Sequence, residues 1–145
     1  MIINTYDAFT RLSIIDINRI TNFLYNNSGA FKDSKSAIRK SIMYAAKELP
    51  GLGGYVFVIE HKEEILGAVV VNITGMNEYL SENILVYLAV KDGFRKKGIA
   101  KKLIIHTTKY CKGEIAIHVN IKDPVIRLFQ KQGFKARNIE LRLER

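Results

Sequence analysis

The sequence predicts a mixed α/β fold, one central sheet with helices packed around it. Three observations carry that expectation. The first fifty residues place apolar side chains at helical spacing, and the middle of the chain holds apolar runs of strand length. The third of those runs then passes through a short basic loop with a glycine into another helical pattern. At 145 residues and 48% hydrophobic content the chain can bury one continuous core, so a single domain over residues 1–145 is expected.

The elements follow in order. Met1 to Tyr6 has the character of a first strand. From Asp16 to Tyr25 the residues Ile17, Ile20, Phe23 and Leu24 recur as one helical face. A second helix is expected from an N-cap at Ser34 or Ser36 to Leu49. Its buried stripe is Ile38, Ile42, Ala45, Ala46 and Leu49, and Pro50-Gly51 is its stop. Gly51-Leu52-Gly53-Gly54 follows a helix and precedes a strand, the reverse of a phosphate loop, and reads as a turn. Tyr55–Glu60 and Ile65–Val71 read as strands joined by the polar turn His61-Lys62-Glu63-Glu64. Ile84–Val90 is apolar throughout, as a strand covered on both faces would be.

Ile99–Lys112 is helical, with Ile99, Leu103, Ile104, Tyr110 and Cys111 facing the core, and Glu114–Asn120 is a further strand. Asp123-Pro124 supplies a cap and a favoured first residue for a helix over Val125–Gln132, which Gly133 ends. Ile139, Leu141 and Leu143 alternate with charges and predict a half-exposed closing strand.

The stretch Arg95-Lys96-Lys97-Gly98-Ile99-Ala100 carries the strongest chemical signal. Backbone N–H groups at a helix N-terminus lack intrahelical partners and the dipole there favours anions. Gly98 lets the backbone approach a bulky diphosphate, and Arg95, Lys96 and Lys97 add positive charge, so the loop reads as a pyrophosphate grip.

The net charge of +9 concentrates between Lys91 and Lys112, where Asp92 is the one acid among eight basic residues. Such a run is compatible with a solvated helix face, a phosphorylated ligand or nucleic acid. Nucleic-acid modules interleave stacking aromatics with basic residues, and this helix offers only Tyr110, so that reading ranks below a phosphorylated ligand. His61, His106 and His118 are scattered and Cys111 is the single cysteine, so neither a zinc site nor an internal disulfide is expected. The start of the chain lacks a signal-peptide pattern and the aliphatic run Ile65–Val71 is too short for a bilayer, so a cytoplasmic protein without membrane association is expected.

Two motifs in order carry a family resemblance. Arg95-x-x-Gly98-x-Ala100 fits the loop Arg/Gln-x-x-Gly-x-Gly/Ala, and Val125-Ile126-Arg127-Leu128-Phe129-Gln130-Lys131-Gln132-Gly133-Phe134 is similar to a later helix ending in Gly-Phe. Over Ile84 to Phe134 the chain resembles the GCN5-related N-acetyltransferases, or GNAT family, and Gly67 in the hairpin agrees. The resemblance implies a central, mostly antiparallel mixed sheet flanked by about four helices, with a splayed strand pair that holds CoA. It implies transfer of an acetyl group from acetyl-CoA to a primary amine by direct attack, without metal.

Carried onto this sequence, the resemblance places the pantetheine arm against the backbone of Leu88, Ala89 and Val90. The pyrophosphate falls on Arg95, Lys96, Lys97, Gly98, Ile99, Ala100 and Lys101, and a backbone N–H near Leu88 polarises the thioester carbonyl. Two positions depart from the family pattern. Phe129 stands where many members carry a tyrosine that protonates the leaving thiolate, and Lys122 stands near a usual asparagine, with Asn120 as the nearest substitute.

His118 is the first candidate for a base, because an ordinary imidazole titrates near neutral pH; Tyr87 and Glu82 follow. Cys111 is expected to be an inert buried thiol. The acceptor amine is left open, as is a homodimer. Two other classes fit these residues: a CoA or acyl-CoA sensor without turnover, and a basic nucleic-acid module.

Overall fold

A computed structural model describes residues 2–95 and 97–145. The elements are β1 (Ile3–Tyr6), α1 (Ile14–Asn27), α2 (Lys35–Ala45), β2 (Gly54–His61), β3 (Glu64–Ile73), β4 (Asn83–Val90), α3 (Ile99–Tyr110), β5 (Ile115–Ile117) and α4 (Val125–Lys131), with a 3₁₀ turn at Gly29–Phe31. The five strands form one sheet in the order β1-β2-β3-β4-β5. The first three pairings are antiparallel, whereas β4 and β5 are parallel and joined by the crossover helix α3. The described residues therefore form a mixed α/β protein with a mostly antiparallel sheet and four α-helices.

Each face of the sheet carries two helices. Ile17, Ile20 and Leu24 of α1 and Ile38 and Ile42 of α2 pack with Val56, Val58, Ala68, Val70 and Ala89. On the other face Ile99, Leu103 and Ile104 of α3 and Phe129 of α4 pack with Phe57, Ile59, Val69, Val71, Leu85 and Val90. Helices on both sides explain why β3 and β4 lack polar alternation. Gly67 sets how close α3 can come: a Cβ there would lie 2.8 Å from both Ile99 Cγ2 and Leu103 Cδ1.

Capping follows the local chemistry. Ser13 Oγ accepts from Asp16 N–H at the start of α1, and Ser34 Oγ accepts from Ala37 N–H at the start of α2. Helix α2 ends at Ala45 instead of Leu49, because Lys47 takes a left-handed backbone (φ 60°) and Glu48 N–H turns back to the Met43 carbonyl. At α4, Asp123 Oδ1 accepts from Val125 N–H, and Phe134 N–H returns to the Phe129 carbonyl.

Two expected strands come out differently. β5 covers only Ile115–Ile117, so His118 and Asn120 lie beyond it. No closing strand forms over 135–145. Ile139, Leu141 and Leu143 are 88%, 92% and 77% exposed, so their alternation has no core to face within this chain and no ladder to join.

Candidate active site

The site begins where two parallel strands part. β4 and β5 are in register at Asn83–Ile115, Ile84–Ala116 and Leu85–Ile117, and there β5 ends while β4 continues to Val90. From Val86 onward, β4 has β3 on one side and, among the described residues, no strand on the other. The base of the parting is latched by Asn83, which is 3% exposed. Its side-chain amide donates to the Lys112 carbonyl at 2.7 Å and to the Glu114 carbonyl at 3.2 Å.

A bulge starts the divergence. β3 residues Val70 and Val71 face Tyr87 and Leu85, which leaves Val86 as the extra residue of β4. Its effect is a change of face: Leu85 packs on the α3 side, whereas Val86 and Tyr87 both pack toward α1 and α2. Leu88 and Val90 then return to the α3 side and Ala89 to the α1 side. Alternation read along the sequence would have put Tyr87 on the opposite face.

On its new face Tyr87 meets Asp33, which precedes the Ser34 cap of α2, and the phenol donates to Asp33 Oδ2 at 2.5 Å. Burial, followed by the Asp33 hydrogen bond and charge, pushes the phenol pKa well above its ordinary value. Tyr87 is therefore a neutral hydrogen-bond donor and not a base near neutral pH. Asp33 carried no sequence motif; only the bulge and the loop between α1 and α2 bring it to β4.

Beyond β4 the chain enters the basic loop. Gly98 is the N-cap residue of α3, with a left-handed backbone at φ 78°, no side chain capping it and no atom within 4 Å of a Cβ built there. Lys102 N–H makes the first helical bond, to the Gly98 carbonyl. The first turn holds no acidic residue and no side chain caps it, so the amides ahead of Lys102 stand at the positive end of the helix without an intrahelical partner. Ile99 is buried and anchors that turn, while Lys97 and Lys101 are exposed and Ala100 is half-buried. Lys97 Nζ stands 5.5 Å from the centre of the Phe94 ring.

Arg95 points back instead, donating to the Asn27 carbonyl at 3.0 Å and pairing with Asp92 at 3.2 Å. It ties the loop to the end of α1, as Asp92 N–H does through Asn27 Oδ1. Lys96 lies outside the described residues.

The remaining candidates are dispersed. His118 is exposed past the end of β5, 3.0 Å from Glu140 Oε1 and 3.4 Å from Arg142 Nη2. Asn120 holds the turn before α4, its side chain accepting from Lys122 N–H at 2.9 Å. Phe129 is 1% exposed, edge-on to Phe134 at 5.2 Å, among the same side chains as Leu88 and Ile117. Glu82 precedes β4, about 20 Å along the strand from Leu88, and sits against Gly113. Burial pushes the Cys111 thiol up to about 12, which makes it inert. Among the described residues, no group of three or more His, Cys, Asp or Glu side chains is arranged to hold a metal ion, and no helix is long and apolar enough to cross a membrane.

A parallel strand pair that parts beside an uncapped, basic helix N-terminus defines the class of this protein, an acetyltransferase fold. A profile described as the acetyltransferase (GNAT) domain matches residues 53–136, more than half of the chain, and the chain belongs to that family. An aminoglycoside N-acetyltransferase in complex with CoA is similar over 99% of this chain and 95% of its own, with a TM-score of 0.65 at 17% identity. The aminoglycoside antibiotic 6'-N-acetyltransferase from Acinetobacter haemolyticus is similar over 100% of this chain and 98% of its own, with a TM-score of 0.65 at 11% identity. A transcriptional regulator from Bacillus halodurans is similar over 99% of both chains, with a TM-score of 0.63 at 18% identity. At these identities the likeness is one of fold. Over 56 residues the chain is 36% identical to the cysteine-rich protein 2-binding protein of Mus musculus, a match covering 38% of this chain but 7% of that protein.

Proposed function

We propose that this chain is a single acetyltransferase domain that uses acetyl-CoA to acetylate a primary amine, without metal. The observation that carries the reading is the parting of β4 from β5 after Leu85, next to the uncapped N-terminus of α3. Extended backbone with an open edge suits an amide-bearing pantetheine arm, which Leu88, Ala89 and Val90 would hold as an added strand. The amides around Gly98, Ile99, Ala100 and Lys101, with Lys97 beside them, suit the diphosphate. Phe129 supports the wall behind the arm, and Asn120 orders the loop at its rim.

The bound thioester supplies an activated acetyl group, and the chain's own residues do the rest. Leu88 N–H is assigned to the developing oxyanion, where a donor already aimed at the charge needs no reorganisation. Tyr87, kept neutral by burial and by Asp33, orients the acceptor without taking its proton. His118, at the rim of the parting and bridged to Glu140, is the assigned base. Most of the acceleration comes from holding two reactants together.

Calorimetric titration with acetyl-CoA, desulfo-CoA and ATP tests the cofactor site. Micromolar binding of the first two but not of ATP is expected, and failure of both would leave a basic helix start to be tried against RNA at varied salt. A panel of peptide N-termini, lysine side chains, aminoglycosides and metabolite amines then seeks the acceptor, and a cytoplasmic location is read by fractionation. Loss of the acidic limb of the kcat/KM profile in His118→Ala supports the base assignment, and an unchanged profile ends it.

A second reading rests on Phe129, whose buried ring offers no hydroxyl to a leaving thiolate. Under it the chain binds acyl-CoA as a sensor without turnover. A thiol that titrates near pH 8.5 leaves tolerably well unaided, so Phe129→Tyr is expected to leave turnover equal or higher. Binding with no product over the whole amine panel would favour the sensor.

A further inference from the structure

Helices α1 and α2 meet along a cleft of about 340 Å³ that the proposed reaction does not use. It lies with these helices on the sheet face opposite α3 and α4. Asn18, Thr21 and Asn22 line it from α1, and Lys35, Ser36 and Arg39 line it from α2. Each wall holds residues four apart, which share one face of a helix. None of the six is an acid. Asp16 and Asp33, each two residues from a lining residue, are engaged elsewhere: Asp16 pairs with Arg19 at 3.4 Å and Asp33 accepts from Tyr87 at 2.5 Å.

Arg39 differs from the paired arginines of this chain. Arg11, Arg19, Arg95 and Arg142 each pair with a carboxylate, whereas the half-buried Arg39 donates through Nη1 to an amide oxygen, Asn18 Oδ1. That bond spans the two helices and holds the guanidinium in place without neutralising its charge, with N–H donors left over. Lys35 Nζ lies 5.1 Å from the centre of the Tyr25 ring, a contact that orients an ammonium and leaves it charged. Among the described residues neither cation pairs with an acid.

Two uncompensated cations facing one cleft suit a doubly charged anion. A guanidinium fork matches two phosphate oxygens and an ammonium adds a point charge. A phosphate monoester carries about −1.5 to −2 at neutral pH. The rest of the lining is uncharged and offers acceptors. Thr21 Oγ1 donates to the Ile17 carbonyl at 2.7 Å, so toward a ligand it can only accept, and Asn22 and Ser36 add an amide and a hydroxyl. Small-molecule clefts run from roughly 300 to 1,000 Å³, so this one has room for a body beyond the phosphate. We propose that the α1–α2 cleft binds a phosphate monoester of a small, hydroxyl-bearing molecule. Arg39 and Lys35 take the phosphate, and Thr21, Asn22 and Ser36 take the hydroxyls. The site stands or falls independently of the acetyl-transfer reading.

Amide-resolved NMR titration of the native chain locates the ligand, with glycerol phosphate as the probe. Saturable shifts at Asn18, Asn22 and residues 35–39 are expected, with a dissociation constant below about 1 mM. Glycerol tests the hydroxyls without phosphate, and inorganic sulfate tests charge without a body. Each is expected to bind at least about tenfold more weakly. Arg39→Gln keeps a donor for Asn18 but removes the charge, so affinity is expected to fall about tenfold or more while the ligand-free melting temperature holds. Lys40→Gln removes a charge from the same helix outside the cleft and is expected to leave affinity within about twofold. Shifts confined to residues 97–101 would put the phosphate on the start of α3 instead. Equal losses in Arg39→Gln and Lys40→Gln would reduce the cleft to diffuse charge, and absence of saturation would leave it merely solvated. Each of these three results overturns the proposal.

Discussion

Gly98 combines two requirements that no other side chain meets together. Its backbone is left-handed at φ 78°, and the space beside it is open. Ala fits that space but carries the dihedral strain, about 1–2 kcal/mol, so Gly98→Ala is expected to lower thermal stability slightly and keep CoA binding. Gly98→Glu adds a carboxylate where the diphosphate would lie, so it is expected to abolish binding in calorimetry while the melting temperature follows the alanine variant. Tyr87 invites a different substitution. Tyr87→Phe removes the hydrogen bond to Asp33 and frees the loop before α2, at a cost of about 1 kcal/mol. If Tyr87 orients the acceptor, KM for the amine rises while CoA affinity stays fixed, and an equal fall in both would mark loss of fold alone.

At the scale of elements, the contact between α3 and β3 decides where the helix N-terminus points. Gly67 leaves no room for a Cβ, since Ile99 and Leu103 already touch that position. Gly67→Val is expected to push α3 outward, cost about 1–3 kcal/mol by overpacking, and weaken CoA binding through the displaced helix N-terminus. Chemical denaturation and calorimetry on one preparation would check both. The latch at Asn83 makes a matching prediction for the parting. Asn83→Leu leaves the Lys112 carbonyl without its donor, so the start of β5 should detach from β4 with a loss of about 1–3 kcal/mol and faster amide exchange over 114–117.

For the whole molecule, the sheet is covered by helices on both faces, and a titratable imidazole sits within that covering. His106 packs edge-on to Phe57 at 4.8 Å and lies 3.2 Å from Thr5 Oγ1. Burial holds its pKa below the ordinary 6.5. The unfolded chain thus binds a proton more readily than the native one, so the stabilisation is present above pH 6.5 and is lost as pH falls through the lower native value. Asp7, held below its ordinary value chiefly by the Thr10 N–H bond, adds a second loss below pH 3.8. Thermal melts from about pH 7 down to about pH 3 should show a decline below pH 6.5 that His106→Gln flattens, while the separate step from Asp7 below pH 3.8 persists.

Much of this was legible in the residues themselves. Helical spacing over Ile17–Leu24 and Ile38–Ala45, continuous apolarity in β3 and β4, a serine cap at Ser34 or Ser36 and the glycine loop before α3 are local patterns, and local physics reads them. So is the family, since its motifs lie within short stretches of chain. The rest needed partners distant in sequence. The bulge that carries Tyr87 to Asp33 exists because β4 pairs with β3, and nothing within β4 announces the extra residue. β5 is short because its pairing with β4 ends at Leu85, which leaves His118 and Asn120 outside the sheet despite an alternating sequence. Alternation at 139–143 likewise records a capacity to be half covered, not what covers it. Sequence by itself determined which segments carry periodicity, caps and a basic, glycine-led helix start, because those depend on neighbours one to four residues away. Tertiary structure alone decided which side chains share the site, because that depends on register, and one inserted residue moves a side chain to the opposite face.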